Sequence, residues 1–335
     1  MRIPRFWIKD TMEDQIFHVM SRVVDKRMIF GDSEKSLFHR IMRQMEGFSG
    51  CEVLTYCLMG NHFHILLRVP KKPDDMLAGE VVRRLGWIYP TDRVKAISSK
   101  LNQLLKNGET EKHAALIHKY KNRMFDLSEF VKGLKQRFTQ SYNLRNERKG
   151  TLWEERFKSL LIDPKQRSLL VVASYIDKNP LRAGLVKNAE EYRWSGYGEA
   201  RRGEPKAQKG IAFIIEGFNR RKNLVRSLHA YGMIFDNELK ESNPEWIDDN
   251  SGNLEGVHSH PRERLSNGII LGAQEFIRNC LEKPSYAGPT NYLNKFLSGT
   301  GLEERRVGRF FTLTKSKRKI VDNSENGQSL CNKYW

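Results

Sequence analysis

The chain has 335 residues, 39% of them hydrophobic and 29% charged, with a formal net charge of +18. That length and apolar content fit one large or two ordinary folded domains and exclude a disordered chain. The positive excess points to a polyanionic partner, nucleic acid or an anionic membrane surface. No apolar run reaches the length of a membrane span, and "MRIPRFWIKD" lacks the apolar centre of a signal peptide. Four scattered cysteines (Cys51, Cys57, Cys280, Cys331) show neither zinc spacing nor a dense disulfide pattern, as in a soluble protein of a reducing compartment.

In chain order, "QIFHVMSRVV" (15–24) is rich in β-branched and aromatic residues and predicts a strand. Leu37, Ile41 and Met45 then recur at four-residue spacing, an amphipathic helix that stops near glycine. "CEVLTYCLM" and "HFHILLRV" predict two strands, with Gly60 and Asn61 forming a tight turn or merely breaking one long strand. Residues 71–125 carry many charges around modest apolar repeats (Leu77, Val81, Leu85; Val94, Ile97, Leu101, Leu104, Leu105) and read as two or three inserted surface helices. Asp126 followed by Glu129 is a capping-box pattern, and Phe130, Val131, Leu134, Phe138 and Tyr142 continue as a helical stripe. "RFKSLLID" (156–163) predicts a strand, and Pro164 opens a helix running to about Asn179, where Pro180 enforces a stop. This order predicts an α+β fold, a ferredoxin-like antiparallel sheet backed by helices.

Residues 201–210, "RRGEPKAQKG", look like a linker between a domain over 1–200 and an extension over 211–335. The extension reads as mainly helical, first over "IAFIIEGFNRRKNLVRSLHAYG" and again over "NGIILGAQEFIRNCLEK". Its basic segment "EERRVGRFFTLTKSKRK" is equally a DNA-binding tail or a solvated end.

Two His-x-His pairs occur, where chance in a chain with nine histidines supplies roughly 0.24. On a strand, His62 and His64 point to one face while Phe63, Ile65 and Leu67 face the other. Two neutral imidazoles so placed can chelate one divalent ion, or both can be satisfied histidines of an aromatic-rich strand. His258 and His260 lack the flanking strand pattern and read as a solvated loop. In the helix "PKQRSLLVVASYIDKNP", Leu169, Val172 and Ile176 form the apolar stripe. Tyr175 lies about a quarter turn away and Asn179 one turn further on, so both can face a groove. A half-buried tyrosine and a helix-ending Asn-Pro fit the same pattern.

"MGNHFHILLRV", followed by "GTLWEERFKSLLID" and "ASYIDKNPLRAGLV…YRWSGYG", resembles the IS200-like single-tyrosine HUH transposases, and most of all their REP-associated tyrosine transposase branch. The resemblance covers about residues 1–200 and implies the HUH endonuclease fold. It implies that His62 and His64 hold a divalent metal, Mg²⁺ or Mn²⁺, that Asn179 is its third ligand, and that Tyr175 is the nucleophile. It further implies nicking and rejoining of single-stranded, hairpin-bearing DNA through a 5′-phosphotyrosine, a homodimer, and a cytoplasmic protein associated with the nucleoid when bound to DNA. Three features depart from the family pattern: Gly60 where many relatives have proline, the long 71–125 insertion, and the tail beyond about 210.

The chemistry agrees with these residues. A phenol, with its pKa near ~10, is a weak nucleophile until its developing phenolate is stabilised. Three neutral ligands leave a metal its full double charge for the scissile phosphate. Residues 130–168 carry ten basic residues (Lys132, Lys135, Arg137, Arg145, Arg148, Lys149, Arg156, Lys158, Lys165, Arg167) against four acidic ones. Interleaved Tyr142, Trp153 and Phe157 complete the cation-and-ring composition that single strands bind. Trp153 is the candidate for base stacking, whereas Phe138 and Phe157 read as core. A DNA-binding or regulatory protein that no longer moves DNA is the chief alternative, and an RNA-binding module the third.

Overall fold

The computed structural model describes residues 13–216, 224–238, 270–272, 276, 279–280 and 310–312. Strand β1 (Gln15–Arg22) leads into helix α1 (Asp32–Ser49) and the hairpin β2 (Glu52–Leu58) and β3 (His62–Val69). The insertion forms three helices, α2 (Ala78–Leu85), α3 (Thr91–Lys106) and α4 (Thr110–Lys121). Helix α5 (Leu127–Arg145), strand β4 (Lys158–Ile162) and helix α6 (Gln166–Asp177) follow. The one-turn α7 (Asn179–Arg182), α8 (Gly196–Arg201), α9 (Pro205–Glu216) and α10 (Leu224–Glu238) come next, then the short strands β5 (Ile270–Gly272) and β6 (Phe310–Thr312).

The sheet order is β2-β3-β1-β4-β5-β6. The first four strands pair antiparallel, so the expected α+β, ferredoxin-like architecture is present. Strand β5 runs parallel to β4 and β6 parallel to β5, which extends one side of the sheet. Among the described residues, no helix is long and apolar enough to cross a membrane.

Local chemistry sets the boundaries. Gly50 ends α1 with φ +76°, a left-handed conformation that glycine adopts without a Cβ penalty. The Asp126 carboxylate accepts the Glu129 N–H at 2.7 Å and so caps α5. Strand alternation sends Phe63, Ile65 and Leu67 to one face of β3. There Phe38 of α1 lies 4.8 Å from Phe63, and Phe138 of α5 lies 5.3 Å from Phe38, between ring centroids. The opposite face, bearing His62 and His64, lies under α6, whose Leu169, Val172 and Ile176 are fully buried. A sheet covered on both faces explains why β3 reads as a nearly continuous apolar run.

Three expectations are corrected. Residues 205–210 are not a linker but the first half of α9, which Pro205 opens at a position where its missing N–H costs nothing. The turn at 202–204 is all that separates α8 from α9. Residues 270–272, expected within a helix, form β5: a short apolar run does not distinguish helix from strand, and the free edge of β4 supplies the partner. Helix α6 ends at Asp177, and Pro180 sits in the first turn of α7 rather than merely stopping a helix. His258, His260, Cys331 and most of the basic C-terminal segment lie outside the described residues.

Candidate active site

Strand pairing assembles a polar cluster on one face of the sheet. Arg22 stands opposite His62 and Met20 opposite His64 on β1, while Lys158 of β4 stands opposite Met20. Residues opposite one another, or two apart on a strand, share a face, so His18, Arg22, His62, His64 and Lys158 all belong to it. The His62 and His64 rings are 5.1 Å apart between centroids and nearly perpendicular. His18 stacks on His64, with centroids 5.1 Å apart and planes 18° apart, and its Nε2 is 2.9 Å from His64 Nδ1.

Helix α6 brings Tyr175 onto this cluster. Its ring centroid is 5.7 Å from that of His64 and 6.0 Å from that of His18, edge-on to both. The ring is 7% exposed, and the Arg182 guanidinium carbon lies 5.3 Å from its centroid. Asn179 opens α7 one turn on. Its Nδ2 donates to the carbonyls of Tyr175 (2.9 Å) and Ile176 (3.1 Å), which turns the amide nitrogen back on its own helix.

Burial keeps the histidine pair neutral. Burial first, then the charge of Arg22, pushes His62 down to about 4. His64 is driven well below the usual imidazole value by burial, then by His18, His62 and Arg22. His62 Nδ1 is 2.7 Å from Asn61 Oδ1; an amide oxygen only accepts, so Nδ1 carries the hydrogen and Nε2 keeps its lone pair. Cys57, across from His64 on β2, is a buried thiol whose pKa burial and then Asp177 push well up. Among the described residues, no group of three or more His, Cys, Asp or Glu is placed to hold a metal. Two neutral imidazoles and one amide oxygen are a donor set that suits a hard or borderline divalent ion with open positions.

The expected DNA-contacting residues divide between two regions. Lys132, Lys135, Arg137 and Arg145 ride on α5, in the layer that covers the Phe63 face, away from the histidines. Lys135 Nζ donates to Ser21 Oγ (2.8 Å) and the Glu155 carbonyl (3.0 Å), and Lys132 pairs with Glu129 at 3.0 Å. Arg148 braces its own loop through Asn143 and Thr151, and Lys149 and Arg156 are exposed. Lys158, by its register opposite Met20, is on the histidine face.

Trp153 is corrected from stacking platform to core. It is 7% exposed, packs 5.6 Å from Phe63, and donates its Nε1 hydrogen to Thr139 at 2.9 Å. Phe138 and Phe157 are buried as expected. The residues missed from sequence are His18, Arg22 and Arg182. Arg182, in the "NPLR" turn after the tyrosine, had a local signal, whereas His18 and Arg22 needed the β1–β3 register.

Comparison with known proteins bears on this cluster. Residues 11–85 match the family described as Transposase IS200 like. The matched segment runs from before β1 to the end of α2. It contains His18, His62 and His64 and stops short of Tyr175 and Asn179. Among solved structures, the chain is similar to a REP-associated tyrosine transposase bound to a REP hairpin, at 15% identity and a TM-score of 0.38 over 62% of this chain and 90% of that one. No curated protein matches.

Proposed function

We propose that this chain is a transposase-type nuclease that nicks and rejoins single-stranded, hairpin-bearing DNA, with Tyr175 as nucleophile. The observation that carries the proposal is the approach of Tyr175, from a helix outside the matched transposase segment, to buried His64 of the histidine pair inside it. The phenolic oxygen bonds to the scissile phosphorus as the P–O3′ bond breaks. The phenol gives up its proton and the departing 3′-oxygen takes one, leaving a 5′-phosphotyrosine and a free 3′-hydroxyl. One phosphodiester replaces another, so attack by an incoming 3′-hydroxyl rejoins the strand without further energy.

His62, His64 and Asn179 would hold Mg²⁺ or Mn²⁺. When bound, the ion supplies Lewis-acid charge to the non-bridging phosphate oxygens. Arg182 lies against the phenol and offsets charge developing on its oxygen. Arg22 and Lys158 place positive charge on the histidine face, where a DNA backbone must lie to reach Tyr175. Exposed Arg156 and Lys149 add to the positive surface of the molecule, and a homodimer belongs to the same reading.

The test is incubation of the full chain with labelled hairpin-bearing single-stranded DNA and Mn²⁺, read as a covalent adduct on a denaturing gel. Wild type forms the adduct. Tyr175→Phe, which deletes one oxygen and keeps the buried ring, forms none and melts within a few degrees of wild type. An adduct in that variant overturns the assignment of the nucleophile. Failure of wild type with every divalent metal favours the non-catalytic DNA-binding or RNA-binding alternatives.

A further inference from the structure

We infer that His18 is a positioning residue for His64: it holds the His64 ring in the Nδ1–H tautomer and so leaves Nε2 as the ligand atom. This role rests on the metal site proposed above, and nothing in the sequence motif contains it.

One hydrogen is shared across the 2.9 Å gap between His18 Nε2 and His64 Nδ1. If the hydrogen sits on His18, neutral His64 carries its own proton on Nε2, and neither of its nitrogens is available to a metal. If it sits on His64, Nδ1 donates to His18, and Nε2 keeps a free lone pair. Only the second arrangement lets the histidine pair work as a pair. The first-coordination geometry of a metal-bound histidine depends on just such a partner at its other nitrogen.

The placement of His18 makes it a stiff partner. The residue is 1% exposed and lies on β1, which is paired on both edges, to β3 and to β4. Its ring is stacked on His64 at 18° and meets the edge of Tyr175. Each ligand histidine thus has its own orienting group. His62 takes the amide of Asn61 from the adjoining turn, and His64 takes an imidazole from the neighbouring strand. Because His18 Nε2 is engaged with His64, it orients the site rather than adding a ligand through that atom.

The test uses the full chain labelled with ¹⁵N-histidine, and long-range ¹H–¹⁵N correlation spectra report the His64 tautomer without metal. The expected wild-type state is Nδ1–H. In His18→Phe it shifts to Nε2–H, and Mn²⁺ affinity, followed by the electron paramagnetic resonance of free Mn²⁺, falls about 10- to 100-fold. In His18→Gln, whose amide oxygen can accept near the place of Nε2, both readouts stay near wild type. Nε2–H in wild-type His64 overturns the inference, as does a folded His18→Phe that binds Mn²⁺ like wild type. Should His18→Phe fail to fold, the wild-type tautomer and His18→Gln decide. Loss of Mn²⁺ in His62→Ala with full retention in His18→Phe overturns the His18 role alone. A wild-type chain that binds no Mn²⁺ overturns the metal site and this role with it.

Discussion

Trp153 carries the composition of a DNA-stacking residue, a ring among lysines and arginines, yet it is buried against Phe63 and Phe138, with Lys135 Nζ 5.0 Å from its ring. Core burial predicts that Trp153→Ala loses about 3–5 kcal/mol in denaturant unfolding. Trp153→Phe keeps most of the packing and loses chiefly the hydrogen bond to Thr139, about 1 kcal/mol. Trp153→Phe should also bind single-stranded DNA like wild type in fluorescence anisotropy, whereas a stacking residue would show a weaker complex. Glu199 on α8 is a second residue whose role lies in packing. Burial alone would raise its carboxyl, but hydrogen bonding to His39 and the charge of Arg43 outweigh this and hold it at about 2, against an ordinary 4.5. A lowered carboxylate contributes its stability in full above the unfolded value and loses it as pH falls. The Glu199 contribution, at most about 3 kcal/mol, should therefore disappear between pH 4.5 and 2. Glu199→Gln should melt lower than wild type at pH 7 and show a shallower decline over that acid range.

The helices beyond 200 are parts of the sheet's own packing. Gly210 on α9 lets that helix lie so close to β2 that a Cβ there would sit 2.2 Å from the Leu54 carbonyl oxygen. Helix α10 reaches α6 through Tyr231, fully buried, whose hydroxyl donates to Asp177 Oδ2 at 2.7 Å. Thr55 of β2 donates to the same oxygen at 2.8 Å, and the Tyr197 N–H donates to Oδ1 at 3.2 Å. Burial raises this carboxyl to about 7 against the hydrogen bonds that lower it, so each donor counts. Tyr231→Phe leaves a buried carboxyl short of one partner and should cost about 1–3 kcal/mol in thermal or denaturant unfolding. Asp177 is two residues from Tyr175, so the C-terminal helices brace the helix that presents the tyrosine. The capped start of α5 and the stripe of α6 were legible because caps and helical periodicity are local signals. The docking of α9 was not, because Gly, Pro and charge read as a linker until a strand lies beneath them.

At the scale of the molecule, a net charge of +18 has to be located before it means anything. Much of the basic surface of 130–168 is on α5, on the far layer from the histidines, while Arg22, Lys158 and Arg182 are near the candidate site. Binding dominated by phosphate contacts is steeply salt-dependent, with a slope of about −0.7 per phosphate for single strands. A footprint of about six phosphates predicts an affinity loss of about 300-fold between 50 and 200 mM salt. Arg22→Ala and Lys158→Ala should each flatten the log–log slope by about 0.7 in anisotropy titrations if a backbone crosses the histidine face. Lys132→Ala, already ion-paired to Glu129 on the opposite layer, should leave it unchanged.

By itself, the sequence determined the antiparallel core of the sheet, the shared face of His62 and His64, and the helix that carries Tyr175. Each of these follows from a periodicity of two or 3.6 residues, or from a cap within a few positions. Only the tertiary structure decided what meets across that face. Strand register placed His18 against His64, helix packing set Tyr175 beside both, and burial moved Trp153 from surface to core. Register and packing depend on contacts between segments far apart in the chain, and these leave no local pattern to read.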